Sequence, residues 1–112
     1  MLFRSDELRR RIRDKTGCAT VVGFGPRFLH STGQAYKGGP NSGVFLQITH
    51  DAAKDLAVPG QKYSFSVVEL ATAQGDLSVL VERGRRAIRI HMGADAEAGL
   101  SALAEAINQA LA

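Results

Sequence analysis

The chain has 112 residues, with 14 Lys plus Arg against 11 Asp plus Glu, a formal net charge of +3. That is the length of one domain, and a content of 45% hydrophobic and 22% charged residues excludes a disordered or collagen-like chain. A single cysteine rules out an internal disulfide. The charge is too small to argue for nucleic acid, and no apolar run reaches the ~20 residues of a membrane span. Residues 1–15 are charged throughout and hold no hydrophobic signal core, so the expected location is the cytoplasm.

Ser5 is placed to cap a first helix, with Asp6 and Glu7 in its opening turn and Gly17 as its stop. Leu8 and Ile12 give that helix only a narrow apolar stripe, so its arginine-rich remainder reads as a solvated basic face. Residues 19–24 (Ala-Thr-Val-Val-Gly-Phe) read as a short buried strand ended by Gly25-Pro26. Cys18, just before it, is expected to be a small core residue. Residues 27–42 are polar and glycine-rich with no period, the composition of a long functional loop.

Val44 to Thr49 is a second strand. An irregular stretch follows, with at most one helical turn over residues 51–56 and a Pro59-Gly60 turn, and Tyr63 and Phe65 suit a brief strand. Ser66-Val67-Val68-Glu69 has the form of a capping box, with Phe65 and Leu70 as its staple. Gly75-Asp76 reads as a break and a second cap, and Gly84 as the stop. Residues 86–92 alternate Ala87/Arg89/His91 against Ile88/Ile90/Met92, a period-two strand. Gly93 and Asp95 open a last helix whose stripe is Leu100, Leu103, Ile107 and Leu111. The order points to an α/β fold: a small layered domain with a short, mostly parallel sheet of three or four strands flanked by helices. The whole chain, 1–112, reads as one domain.

Chemistry concentrates in residues 27–42. Glycines let backbone N–H groups turn toward one point and bind an anion, Lys37 adds a charge, and Ser31, Thr32 and Gln34 add hydrogen-bonding groups. His30 borders this run, and imidazole can shuttle protons near neutral pH. Neither a dinucleotide turn nor a P-loop fits: Phe28 stands where the third glycine of the first belongs, and Gly33 and Lys37 lack the spacing of the second. His30, His50 and His91 have no metal-ligand spacing, so no metal and no cofactor is expected. Glu69, Glu82, Glu97 and Glu105 fall on helices as solvated faces, which leaves no evident carboxylate base.

The run Phe24-Gly25-Pro26-Arg27-Phe28-Leu29-His30-Ser31-Thr32-Gly33-Gln34, continuing through Lys37-Gly38-Gly39-Pro40-Asn41-Ser42-Gly43-Val44-Phe45, resembles the C-terminal part of bacterial transaldolase–glucose-6-phosphate isomerase fusion proteins. Gln47-Ile48-Thr49, Val58-Pro59-Gly60, Ala73-Gln74-Gly75-Asp76 and Arg85-Arg86 through Gly93 follow in the same order. Ordinary phosphoglucose isomerases are echoed too. Laid on their signature, Phe28 and Lys37 match, His30 stands where they have Gln and Gln34 where they have Glu, while Leu29, Thr32 and Gly33 do not match. The resemblance implies a phosphosugar isomerase of glycolysis and gluconeogenesis. Lys37 and His30 would be catalytic, and Ser31, Thr32, Gly33, Gln34, Gly38 and Gly39 would bind glucose 6-phosphate or fructose 6-phosphate. It also implies that the glutamate base and the main phosphate site lie on an upstream segment, so that this portion is inactive alone. The alternative is a non-catalytic phosphosugar-binding or protein-interaction module, partnered by an isomerase segment or by a second copy.

Overall fold

The alternation seen at residues 44–49 and 86–92 is realised as two strands, β1 (Val44–Thr49) and β2 (Arg86–His91). They pair in parallel, from Val44 opposite Arg86 to Thr49 opposite His91. A parallel pair needs a crossover, and a long helix between the strands supplies it. This two-stranded sheet, not one of three or four strands, is the whole sheet of the described residues. The computed structural model describes residues 2–112, with side chains from Arg4 onward. The helices are α1 (Leu2–Thr16), a short α2 (Ala35–Gly38), α3 (Phe65–Glu82) and α4 (Ala96–Ala110). The fold class is thus α/β, as the pattern implies.

Neighbouring residues of paired parallel strands share a face. Gln47 faces α3, where its Nε2 donates to the Ala73 carbonyl at 2.9 Å. The opposite face carries Ile90, which with Met92 packs against a small core of Leu8, Leu100 and Leu103. Leu8 therefore anchors α1 to α4, despite the narrowness of its stripe. Asp95 caps α4 by accepting from the Ala98 N–H at 3.0 Å, and Leu100 is 2% exposed. Gly17, with φ of 70°, ends α1 in the left-handed region that glycine occupies without steric cost.

Five expectations need correction. Ser5 does not cap α1, because the helix begins at Leu2 and includes it. Residues 19–24 form no strand: Val21 is 69% exposed, and no sheet partner reaches this segment among the described residues. Cys18, which precedes it, is exposed for the same reason. No helical turn forms over 51–56, and Phe65 opens α3 instead of extending a strand, although Ala57 and Ser64 make an isolated antiparallel bridge.

The start of α3 also differs from a capping box. Ser64 is the N-cap and makes no side-chain cap bond. Asp55, eleven residues before Ser66, fills the role. It accepts from the Ser66 N–H at 3.1 Å and from the Ser66 hydroxyl. The hydroxyls of Ser64 and Ser66 hold its carboxyl down at about 2. A carboxyl lower in the folded than in the unfolded chain stabilises above its unfolded pKa, near 3.9, and that contribution disappears as pH falls through the folded value. The stability gap between wild type and Asp55→Asn, measured by urea unfolding at stepped pH, is expected to be full above about pH 4 and to close toward about pH 2. A gap that does not change with pH would show that the cap is not ionic.

Candidate functional site

The glycine-rich run is not an open loop. Residues Arg27–His30 and Thr32–Gln34 form 3₁₀ turns that lead directly into α2. Local bonds consume the backbone: the N–H of Ser31 donates to Phe28, that of Gln34 to Ser31 and that of Gly39 to Ala35. The Ser31 hydroxyl donates to the same turn, at 3.1 Å to the Phe28 carbonyl. Gly33 is buried against Phe28 so closely that a Cβ there would lie 2.8 Å from the Phe28 carbonyl oxygen. Rings then tie the turns to the sheet. Phe28 lies 5.8 Å from Tyr36, and Tyr36 lies 5.3 Å from Phe45 on β1, centroid to centroid.

Arginine fixes the far end of this segment. Arg85, between α3 and β2, donates through Nη2 to the carbonyls of Lys37 at 3.0 Å and Gly39 at 2.7 Å. Asn41 reaches the Gly84 carbonyl at 3.3 Å, and Arg86 donates back to the Asn41 carbonyl at 3.0 Å.

Held this way, α2 lays the Lys37 side chain against α3. Its Nζ lies 2.6 Å from Asp76 Oδ1, and His30 Nε2 lies 3.3 Å from the same oxygen. The three side chains are graded in exposure: Asp76 3%, Lys37 12% and His30 52%. The acid forms the floor, the amine covers it and the imidazole stands at the mouth. Asp76 is neither a break nor a second cap, since α3 runs unbroken through Gly75 and Asp76. It is the carboxylate that the sequence left unassigned. The signal for it was its place between Thr72 and Leu80 on one helical face, an acid within a row that faces inward.

This geometry has chemical consequences. A carboxylate only accepts hydrogen bonds, and Asp76 Oδ1 accepts from the Lys37 ammonium at 2.6 Å, while the His30 imidazole approaches the same oxygen at ion-pair distance. Asp76 also neutralises the Lys37 charge, and the N–H groups of Ser31, Gln34, Ala35 and Gly39 are spent on local carbonyls. The cluster is therefore suited to a hydroxyl and its proton, not to gripping a phosphate. Asp76 Oδ2 is buried with no hydrogen-bond partner among the described residues. Thr32, Gln34 and Gly38 are exposed nearby in the chain, whereas Gly33 is packed inside. So the structure brings together His30 and Lys37 of the expected residues, and does not converge the others on an anion.

The remaining histidines lie elsewhere. His91 bridges the strand ends, with Nδ1 2.9 Å from the Thr49 hydroxyl and Nε2 3.0 Å from Asp51 Oδ1. His50 Nδ1 lies 2.8 Å from the Asp51 carbonyl. A groove of about 420 Å³, lined in part by Arg4, Arg11 and Ser101, runs between α1 and α4, away from the cluster. No group of three or more His, Cys, Asp or Glu side chains that could hold a metal occurs among the described residues. No helix among them is long and apolar enough to cross a membrane. No family model matches the chain, and no curated protein or solved structure matches it at a significant level.

Proposed function

We propose that this chain is the C-terminal portion of a glucose-6-phosphate isomerase-like enzyme of the cytoplasm, and that it acts with a further segment that brings the glutamate base and the phosphate site. One observation carries the reading. Among the residues that the isomerase resemblance marks, the two with the chemistry to move a proton, His30 and Lys37, meet on one buried carboxylate. Isomerisation of a cyclic aldose phosphate first opens the ring, which takes a proton from the anomeric hydroxyl and returns one to the ring oxygen. His30, exposed at the mouth of the cluster, does this, with Asp76 beside it and Lys37 balancing the carboxylate. The base on the other segment then carries the proton between neighbouring carbons through an enediolate.

The purified chain is expected not to interconvert glucose 6-phosphate and fructose 6-phosphate in a coupled assay. Turnover would overturn the division of labour, since it would require a base within these residues. Titration with 6-phosphogluconate, followed by ¹⁵N-edited NMR, is expected to shift His30, Gly33, Lys37 and Gly38. Unmoved resonances at those four positions would remove the sugar site from this chain. The second reading, a non-catalytic interaction module, is favoured by a separate observation: the exposed apolar side chains of β1, β2 and residues 21–24.

A further inference from the structure

The chain exposes more surface than its mass calls for. Its accessible area is 7899 Å², whereas a folded monomer of 12.0 kDa exposes about 6,000 Å². The excess is roughly 1,900 Å², and an interface of standard size takes about 800 Å² from each partner. The bare apolar surface is not scattered. Val44, Leu46 and Ile48 line one face of β1, and Val21, Val22 and Phe24 protrude from the segment that follows α1.

The two edges of the sheet differ. β2 carries Arg86 and Arg89, and charged side chains on an edge discourage pairing with another chain. β1 reads Val-Phe-Leu-Gln-Ile-Thr, with no charge at all. Residues 19–24 are their counterpart. They have the β-branched composition of a strand, yet they make no backbone ladder among the described residues; Thr20, whose hydroxyl donates to the Arg9 carbonyl at 3.2 Å, and the Phe28 ring against Gly23 hold the segment in place. The same chain thus holds an uncharged strand edge without a neighbour and a strand-like segment without a sheet.

We propose that two copies of this chain associate by reciprocal strand addition, residues 19–24 of each pairing with the open edge of β1 in the other. A single two-fold axis satisfies both additions, so the assembly closes as a dimer and does not propagate. Backbone hydrogen bonds supply the attraction. Val21 and Val22 come beside the β1 side chains, where cross-strand apolar pairs add to it. The inference does not depend on the isomerase reading.

Light scattering on the eluting 112-residue chain tests it. At about 100 µM, well above the micromolar dissociation constants of the weaker standard interfaces, a particle of twice the 12.0 kDa chain mass is expected. Val21→Glu and Val22→Pro each change a residue that has no sheet partner among the described residues. Both are expected to elute as monomers with unchanged helical circular dichroism. Hydrogen exchange should slow at residues 21–24 in the wild-type dimer and not in the variants. A monomeric wild type overturns the proposal, as does a dimer that both variants retain. Slow exchange at 21–24 in a monomer also overturns it, because the segment would then be pairing within its own chain.

Discussion

Replacing Asp76 with alanine is expected to lower the stability of the chain by about 3–5 kcal/mol, the cost of removing one partner of a buried ion pair. The reason is the ammonium left behind. Lys37 is only 12% exposed and has no second acidic partner among the described residues. Lys37→Met leaves the Asp76 carboxylate stranded instead and should cost a similar amount. The double variant Lys37→Met/Asp76→Leu separates charge from packing. A buried apolar pair often equals or exceeds the ion pair it replaces, so most of the loss should be recovered while ligand-induced shifts at His30 vanish. Urea unfolding of the three variants gives these values directly. A single-variant cost below about 1 kcal/mol, typical of an exposed pair, would show that Lys37 turns to water once Asp76 is gone.

Leu100→Ala carries the next largest expected effect, about 2–5 kcal/mol. Leu100 is 2% exposed and lies between Leu8 of α1 and Leu103 of α4, with Ile90 and Met92 beneath. Few side chains are this well buried among the described residues, which leaves little surrounding structure able to collapse into the space. The loss should also be local. Hydrogen exchange is expected to speed up most along α1, which is held to α4 through this cluster, and less along α3. A uniform change across all helices would mean that the molecule unfolds only as one unit.

The elements legible in the sequence are those whose patterns agree with their surroundings. β1 and β2 alternate and are flanked by turn residues, and α4 has a cap, a stripe and a clear end, so local preference and packing coincide there. Residues 19–24 show the opposite case. Their composition is that of a strand, but a strand exists only where it pairs with an edge, and among the described residues no strand pairs with them. Gly75-Asp76 misleads for a different reason. Glycine weakens a helix by about 1 kcal/mol, which a buried contact with Lys37 outweighs. That contact joins residues 39 apart in sequence, beyond the reach of any periodicity. The site was therefore half visible: His30 and Lys37 stand out beside the glycine-rich run, whereas Asp76 shows only as an acid in an inward-facing helical row, with nothing in the sequence to join it to them. The glycines suggest a cradle, but Gly33 packs inside a 3₁₀ turn and the Gly39 N–H is spent on the Ala35 carbonyl.

The parallel sheet imposes an order of events on folding. Its last rung, Thr49 with His91, spans 42 residues, so no hairpin can nucleate it, and the chain must first close a loop whose entropy is recovered only afterwards. The helices can form within microseconds, while the strands must wait for the crossover to settle. During that delay β1 is an uncharged apolar ribbon open on both sides, and refolding yield should fall as protein concentration rises.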